Sequence, residues 1–591
     1  MNLVEQLKKA AHEAIVSVYQ KNISWDDLQI NETKPEFEGD YTLVTFSFVK
    51  LIGKKPDDIA QELGNYLVGN NDMLESFNVI KGFLNLTIRQ KFFLSFLNSE
   101  WENEQFGTFP SGNEKVMVEY SSPNTNKPLH FGHLRNIFLG AAIANILKAT
   151  GHEVIKANLI NDRGIHICKS MIAWLHFANG ATPGSAGTKG DHLVGDYYVK
   201  FNDEFKTQIA TLVAGGMPKE EAEKLAPILL EAQDLLRKWE AGEEETMTLW
   251  KQMNDWVYAG FNITYDRLGI TFDKYYYESD TYLLGKEIIE RGLAKDVLYK
   301  KEDGSVWIDL TADGLDQKLL LRGDGTSVYM TQDMGTASLK YSDFKMDTSV
   351  YVIGDEQNYH MQVLKLIMQK MGEPGANGIF HLSYGMVELP SGKMKSREGN
   401  VVDADDMIDE MTGIAKENTE ALGKVDGFTP DELVTLYNTL GLGALKFYLL
   451  RVDPKKRMIF NPAESIDFHG FTGPFVQYTH ARISSILRKA GHSEEGQIEA
   501  VRMTKGEKEL LKRLEQYPSI LMQSAKEYNP SVVCNYIFLV AREFNGFLVD
   551  HSVLKAETEE IKQMRLRLCT LTKHVISHGL ELLGVNSPEQ M

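Results

Sequence analysis

Two histidines stand where an apolar strand gives way to a helix. The segment His130-Phe131-Gly132-His133 follows the strand-like run 116–120 and opens a stretch with helical periodicity. A helix N-terminus presents free N–H groups and the positive end of its dipole, and both favour phosphate. The histidines add donors at fixed spacing, and glycine lets a flat ring lie against the backbone. The segment predicts a nucleotide site, and a capped helix with incidental histidines is the alternative.

A second cluster is a glycine-bounded basic loop at residues 390–400. Its side chains include Lys393, Met394 and Lys395. Mobile lysines beside a triphosphate would stabilise the negative charge that develops as a diphosphate leaves. A solvated basic turn is the alternative interpretation, because most charge clusters are surface features.

The elements around both clusters indicate an α/β fold. From about residue 114 to 460, predicted strands alternate with helices, which implies a largely parallel sheet with crossover helices. One unit runs from strand 116–120 to a strand that begins at 154, and another from strand 349–353 to strand 380–389. Each cluster follows a strand, and ligands bind at the carboxyl ends of parallel strands.

The sequence predicts three domains: one before the α/β core, the core itself and one after it. Residues 1–112 mix a first helix with short strands, one of them at 46–49. Residues 113–462 hold the sheet, with a mostly helical insertion around 165–270. Residues 463–591 show only helical periodicity, which predicts a separate bundle.

Composition excludes several classes of protein. The 591 residues are 43% hydrophobic and 25% charged, as in ordinary globular proteins. The net charge of −19 disfavours a general nucleic-acid binder but permits a local basic face. The three cysteines are widely spaced, which disfavours disulfide scaffolds and cysteine-rich zinc sites. No stretch approaches the ~18 uncharged apolar residues typical of a membrane helix, and the start does not read as a signal peptide, so we expect a cytoplasmic protein.

The two clusters together resemble the paired signatures of class I aminoacyl-tRNA synthetases. The residues around the histidines narrow the resemblance to the arginyl-tRNA synthetase family, which implies a Rossmann-like catalytic core, an α+β N-terminal domain and an all-α C-terminal domain. Lys446 stands where that family usually has an arginine. The matching segments are residues 39–41, 82–85, 118–136, 324–333, 351–354, 443–450 and 472–482.

The resemblance implies a two-step reaction. The carboxylate of L-arginine attacks the α-phosphate of ATP, which enters with Mg²⁺, and the arginyl group then passes to the 3′ end of tRNA(Arg). It also implies that tRNA binds before activation, that the protein is a monomer, that no metal is tightly held and that the membrane is not a partner. The implied ATP contacts and catalytic groups are Lys127, His130, Gly132, His133, Met386, Lys393, Met394 and Lys395.

A guanidinium substrate requires an acidic pocket that matches its planar fork. In the pocket that the resemblance implies, Asp333 would pair with the guanidinium, and Tyr329 lies one helical turn earlier on the same face. Asn124 and Ser121 would hold the amino and carboxylate groups. The implied arginine contacts are Glu119, Ser121, Asn124, His133, Tyr329, Asp333 and Gln357.

The tRNA contacts implied in the C-terminal helices are Tyr478, His480 and Arg482. The basic loop departs from the common pattern, because Ser396 stands where many class I synthetases carry a lysine. Lys127 or Lys395 could compensate, and the sequence does not choose between them.

Two other functions are weighed against this one. A nucleotidyltransferase with the same histidine pair would need only the nucleotide domain, so the helical C-terminal region disfavours it. A catalytically silent synthetase-like tRNA-binding protein is disfavoured by the intact histidines and the lysine loop.

Overall fold

The computed structural model of the chain describes residues 2–390, 402–421, 423, 425, 427–491, 496–499 and 501–591. The basic loop at 391–400 lies outside the described residues, and with it the predicted sites Lys393, Met394 and Lys395.

The N-terminal part is an antiparallel sheet packed with helices. Its elements are α1 Leu3–Tyr19, β1 Ile30–Glu32, β2 Tyr41–Val44, α2 Val49–Ile52, α3 Pro56–Asn70, β3 Leu74–Ile80, β4 Phe83–Ile88 and α4 Gln90–Glu100. The strand order is β1-β2-β4-β3. The predicted strand at 46–49 is wrong, since residues 46–48 form a 3₁₀ helix that leads directly into α2. Strand β2 ends at Val44 opposite Phe83, the first residue of β4, so the chain has no partner strand beyond that pair.

The central part alternates strands and helices, with six helices between β6 and β7. Its elements are β5 Lys115–Glu119, α5 Phe131–Ala149, β6 Glu153–Ile160, α6 Ile165–Phe177, α7 Pro183–Ala186, α8 Gly190–Ala214, α9 Lys219–Leu225, α10 Pro227–Glu240, α11 Glu244–Leu268, β7 Lys274–Tyr277, α12 Glu278–Thr281, α13 Lys286–Ala294, β8 Tyr299–Lys300, β9 Val306–Ile308, β10 Lys318–Leu321, α14 Tyr329–Phe344, β11 Thr348–Gly354, α15 Asn358–Lys370, β12 Ile379–Tyr384 and β13 Val387–Glu388.

A five-stranded parallel sheet positions the site. Its order is β12-β11-β5-β6-β7, and each neighbouring pair is parallel. The chain builds outward from β5 through β6 and β7, then returns to add β11 and β12 on the other side. The order therefore reverses between β5 and β11, where open α/β sheets bind their ligands. The predicted α/β class is confirmed.

Helix α5 packs closely on the end of β5. Most of its residues are buried on all sides, so it lies inside the core rather than on its surface. Gly140 allows the close approach, because a Cβ atom there would lie 2.2 Å from the ring of Tyr120. A helix fixed so tightly can present its first turn to the crevice with little freedom.

The C-terminal part is helical apart from one short strand. Its elements are α16 Ala404–Ala421, α17 Pro430–Leu450, β14 Met458–Ile459, α18 Pro462–Ser465, α19 Gly473–Ala490, α20 Lys505–Glu515, α21 Tyr517–Glu527, α22 Ser531–Asp550 and α23 Glu559–Leu582. Helices α17 and α22 are long and apolar enough to cross a membrane by length and composition. Of their apolar windows, 67% and 44% are buried within the protein, as in core helices of a bundle. All three cysteines are free and buried.

Candidate active site

The histidine pair begins helix α5. His130 is the N-cap residue, with an extended backbone, and its N–H donates to Nδ1 of His133 at 3.0 Å. The proton of a neutral His133 therefore lies on Nε2, which leaves that atom a donor. Gly132 lets the His130 ring lie against the helix, because a Cβ atom at Gly132 would be 3.0 Å from His130 Cε1. The sequence interpretation placed a ligand's flat ring against Gly132, and that stays a prediction; among the described residues the imidazole of His130 lies beside this glycine.

Burial keeps both imidazoles uncharged. Burial and the nearby Lys127 ammonium lower the pKa of His130 to about 3. Burial is the largest cause that lowers the pKa of His133 well below its ordinary value, and electrostatic interactions with His130 and Lys127 lower it further. Both side chains are thus neutral donors near pH 7. Nδ1 of His130 is buried without a hydrogen-bond partner among the described residues, so a polar group is left for a ligand at the helix N-terminus.

Asn136 fixes helix α5 to the ends of three strands. Its Oδ1 accepts from Ser121 N–H at 2.5 Å, and its Nδ2 donates to Val352 O at 2.6 Å. A longer bond of 3.3 Å reaches the hydroxyl of Tyr384. One side chain therefore joins both sides of the point where the strand order reverses. Sequence reasoning included Asn136 in a matching segment but gave it no role.

An acidic cavity of about 400 Å³ lies beside this point, between β5, β11, α14 and α15. Four of the predicted arginine contacts line it, namely Glu119, Tyr329, Asp333 and Gln357. Tyr329 is 76% exposed, so its ring stands at the mouth of the cavity. Three parts of the chain that are far apart in sequence thus converge as predicted.

Lys340, which the sequence did not single out, pairs with Glu119 at the bottom of this cavity. Both side chains are almost fully buried. Burial by itself lowers the pKa of Lys340, but the charge of Glu119, with the nearby Tyr351, outweighs burial and raises it. The ammonium also lies 4.9 Å from the centre of the Tyr351 ring. The charge of Glu119 is therefore balanced inside the protein. The signal in the sequence was the spacing of Lys340 from Asp333, seven residues along one helix face.

His360, also missed, holds the other carboxylate. Its Nε2 lies 2.6 Å from Oδ2 of Asp333, and this hydrogen bond raises the pKa of His360. The Asp333 side chain is 39% exposed, so it remains open to a ligand. Asp333 is the carboxylate of the cavity that no lysine or arginine balances among the described residues.

A second cavity of about 520 Å³ adjoins the first, and Tyr329 lines both. It holds the predicted residues Asn124 and Lys127 and lies between the sheet edge and helices α6, α8 and α10. Burial lowers the pKa of Lys127. Burial raises the pKa of Glu278, on the same cavity wall, to about 7, against the effect of Arg163. The two cavities share Tyr329 and lie at the carboxyl ends of the strands, and we refer to them together as the groove.

Two predicted arginine contacts do not line either cavity. Ser121 is 4% exposed, and its hydroxyl lies 2.7 Å from that of Tyr265, so its hydrogen bond is used within the core. Ser122 lines the acidic cavity instead. Both serines have positive φ values, 73° and 45°, and such backbone strain is typical of functional loops. His133 is also absent from both linings, and its Nδ1 accepts from the N–H of His130.

The segment that follows the basic loop pairs with the histidine segment. Met386 is 38% exposed just beyond β12. The first described residues after the loop pair with the histidine segment, since Phe131 N–H donates to Val402 O at 2.9 Å and Ala404 N–H donates to Leu129 O at 3.0 Å. The chain just after the predicted lysine loop, at Val402 and Ala404, therefore lies against the predicted phosphate site.

Ion pairs join the segment that follows the basic loop to the helical insertion. Lys189 and Arg267 both pair with Asp405, and His192 Nε2 lies 3.0 Å from Asp403. Among the described residues, His192, Asp403 and Asp405 form one group whose possible ligand atoms all lie within 4.8 Å of one another. Cationic side chains already balance these carboxylates, so we assign no metal to the group.

The predicted tRNA contacts on α19 do not share one face. His480 is 1% exposed, and its Nδ1 lies 3.0 Å from Pro588 O, which places it in the bundle core. The expectation that His480 contacts tRNA is therefore corrected. Arg482 is exposed and donates to Asn545, and Tyr478 is partly exposed. Residues four apart share a helix face, whereas His480, two residues from each, points inward.

A parallel sheet with a neutral histidine pair at its switch point and an adjoining acidic groove is the arrangement of a class I aminoacyl-tRNA synthetase. The family model described as "tRNA synthetases class I (R), catalytic domain" matches residues 100–461. Models of the "Arginyl tRNA synthetase N terminal domain" and the "DALR anticodon binding domain" match residues 2–88 and 476–591.

Relatives along the whole length agree. The arginine–tRNA ligases of Amoebophilus asiaticus and Bacteroides thetaiotaomicron are 51% and 50% identical, with full coverage of each chain. The solved arginyl-tRNA synthetase of Thermus thermophilus covers 100% of both chains with a TM-score of 0.81 at 27% identity. That of Plasmodium falciparum has a TM-score of 0.77 at 18% identity, which shows the same fold. The chain belongs to the arginyl-tRNA synthetase family.

Proposed function

We propose that the chain is an arginine–tRNA ligase. It activates L-arginine with ATP, releases diphosphate, and transfers the arginyl group from arginyl-adenylate to the 3′ end of tRNA(Arg). The observation that carries the proposal is an acidic cavity, with Asp333 open to a ligand, beside a helix start that bears two neutral histidines. We further propose that the protein acts as a monomer and requires bound tRNA for activation.

The nucleotide side provides donors rather than a nucleophile. A carboxylate oxygen of arginine forms the bond to the α-phosphorus of ATP, and the bond to the diphosphate breaks. His130, His133 and the first N–H groups of α5 would donate to the phosphates, while Lys127 supplies positive charge. ATP enters as its Mg²⁺ complex, in which phosphates and water suffice as ligands, so no residue is assigned to the metal.

The basic loop and the adenine contacts complete this side. Val402, just after the loop, accepts a hydrogen bond from Phe131 N–H. This contact supports placing Lys393 and Lys395 near the leaving diphosphate. Gly132, Met386 and Met394 are proposed to lie on the adenine side. Either Lys127 or Lys395 supplies the charge that Ser396 cannot.

The arginine side uses the acidic cavity. Asp333 pairs with the guanidinium, and Tyr329 closes over it from the mouth of the cavity. Glu119, already paired with Lys340, accepts a hydrogen bond from the far side. Gln357 and Asn124 hold the amino and carboxylate groups at the junction of the two cavities. The exposed face of α19 with Tyr478 and Arg482 is proposed to meet the anticodon arm of the tRNA.

ATP–diphosphate exchange, measured with and without cognate tRNA, tests the proposed function. We expect exchange that requires both arginine and tRNA. Lysine and citrulline should be activated less efficiently by ~10⁴-fold. Neither offers the guanidinium N–H groups that pair with the polar groups of the cavity. tRNA binding without exchange would identify a silent relative, and exchange that ignores arginine would identify a nucleotidyltransferase.

The His133→Ala variant tests the histidine pair. Loss of one donor to the reacting phosphates should lower the exchange rate by ~10²–10³-fold. The control is His469→Ala, which alters an exposed histidine outside the groove and should retain full activity. Normal exchange by a folded His133→Ala enzyme would rule out the assigned role.

A further inference from the structure

We infer that His360 is a positioning residue for arginine: it holds one oxygen of Asp333 so that the carboxylate faces the guanidinium, and its protonation weakens arginine binding. This inference rests on the proposed function. Nε2 of His360, in the first turn of α15, lies 2.6 Å from Oδ2 of Asp333, in the first turns of α14. The bond therefore joins two elements that form opposite walls of the acidic cavity.

The surrounding charges leave Asp333 as the carboxylate that is available to pair with a guanidinium. The titratable groups that line this cavity with His360 are Tyr329, Asp333 and Lys340 from α14, Glu119 from β5 and Tyr351 from β11. Lys340 already balances Glu119. When His360 is neutral, the cavity keeps one uncompensated negative charge, on Asp333. An arginine side chain brings the single positive charge that matches it.

A bidentate pair requires a fixed carboxylate plane. The two parallel N–H groups of a guanidinium meet both oxygens of a carboxylate only when that carboxylate has the right rotation. The N–H of neutral His360 fixes this rotation from one side and leaves the charge of Asp333 in place. Without His360, Asp333 would turn freely at the mouth of a half-open cavity, and part of the binding energy would be lost to ordering it.

Protonation of His360 turns it from a residue that favours arginine binding into one that opposes it. An imidazolium at the same distance forms its own ion pair with Asp333 and adds a positive charge that repels the guanidinium. The hydrogen bond to Asp333 raises the pKa of His360 above its ordinary 6.5. The inhibitory form therefore accumulates as pH falls through that raised value, and arginine binding must release a proton in this range.

Steady-state exchange with tRNA present, measured from pH 6 to pH 9, tests this inference. In the wild-type enzyme the KM for arginine should rise by about tenfold from the alkaline to the acidic end, while kcat changes less. His360→Ala should raise KM by about tenfold at pH 8 with kcat nearly unchanged, the size expected for a lost hydrogen bond to a charge. His360→Gln keeps a donor that does not titrate, so it should restore part of the affinity and give a flat KM profile.

The matched control is His176→Gln. His176 Nε2 also lies 2.6 Å from a carboxylate, that of Glu231, but this pair is in the helical insertion, outside the acidic cavity. This control should keep the wild-type KM at every pH. A His360→Gln enzyme with the wild-type KM profile, or His360→Ala with an unchanged KM, would overturn the inference.

Calorimetry of the wild-type enzyme–tRNA complex tests the same inference without a variant. Arginine binding near pH 7 in two buffers of different ionisation enthalpy should show proton release, and the absence of release would overturn the role of His360. Failure of the proposed function is a separate result, because the wild-type enzyme would then show no arginine-dependent exchange at any pH.

Discussion

Single side chains set the charge of the arginine cavity. Glu119 and Lys340 are 6% and 2% exposed, so each depends on the other for compensation. An ionised side chain that loses its partner in such a site pays much of its desolvation without any attraction in return. Removal of one partner should therefore destabilise the fold as well as disturb the site.

We expect Lys340→Met to destabilise the enzyme by ~3–5 kcal/mol, because Glu119 is left buried without a counter-ion. Urea unfolding monitored by fluorescence measures the change. The double variant Glu119→Gln/Lys340→Met should recover most of the loss. The control is Lys54→Met, whose pair with Glu62 is 45% and 39% exposed and should contribute less than ~1 kcal/mol. Equal stability of the Lys340 and Lys54 variants would contradict this account.

Among the elements, helix α5 has the largest influence on the site. Its first turn carries the histidine pair, and its second turn carries Asn136, which hydrogen-bonds the chain at the ends of β5 and β11. The helix could be predicted from its period, from the strand before it and from the glycine after it. Its anchoring could not, because the partners of Asn136 include Val352, which is distant in sequence.

Replacement of Asn136 tests that anchoring. Asn136→Ala leaves Ser121 N–H and Val352 O buried without a partner, so it should destabilise the protein by about 2–4 kcal/mol and slow exchange. Asn145→Ala on the same helix removes one bond of 3.3 Å to Leu582 O and serves as the control. Thermal unfolding and exchange rates of the two variants should differ clearly. Indistinguishable behaviour would refute the role given to Asn136.

Over the whole molecule, a few charged side chains join parts that are distant in sequence. Lys446 donates to Leu268 O at the end of the insertion and to Gly584 O near the C-terminus, at 2.7 and 2.6 Å. Burial lowers the pKa of Lys446 to about 8. The pair of His192 with Asp403 joins the insertion to the segment that follows the basic loop. The contribution of the His192–Asp403 pair to the stability of the protein should depend on pH.

The His192→Gln variant measures that dependence. The hydrogen bond that His192 donates to Asp403 raises the pKa of His192 above its ordinary 6.5, so the contribution of the pair is complete below that value and is lost as pH rises through the raised one. The difference in melting temperature between wild-type and variant enzymes should be larger at pH 6 than at pH 9. A difference that is constant over this range would show that the pair does not titrate with folding.

The sequence by itself determined the α/β class, the histidine pair at a helix start and the family, because these depend on local periodicity and on residues adjacent in the chain. The proposed roles of Lys393, Met394 and Lys395 remain predictions. The tertiary structure decided that Lys340 balances Glu119, that His360 hydrogen-bonds Asp333, and that two of the predicted contacts, Ser121 and His480, are buried. It also replaced the strand at 46–49 with a 3₁₀ helix. The physical reason is common to these cases: the face of an element that becomes covered, and the charge that becomes paired, depend on neighbours that only folding brings close.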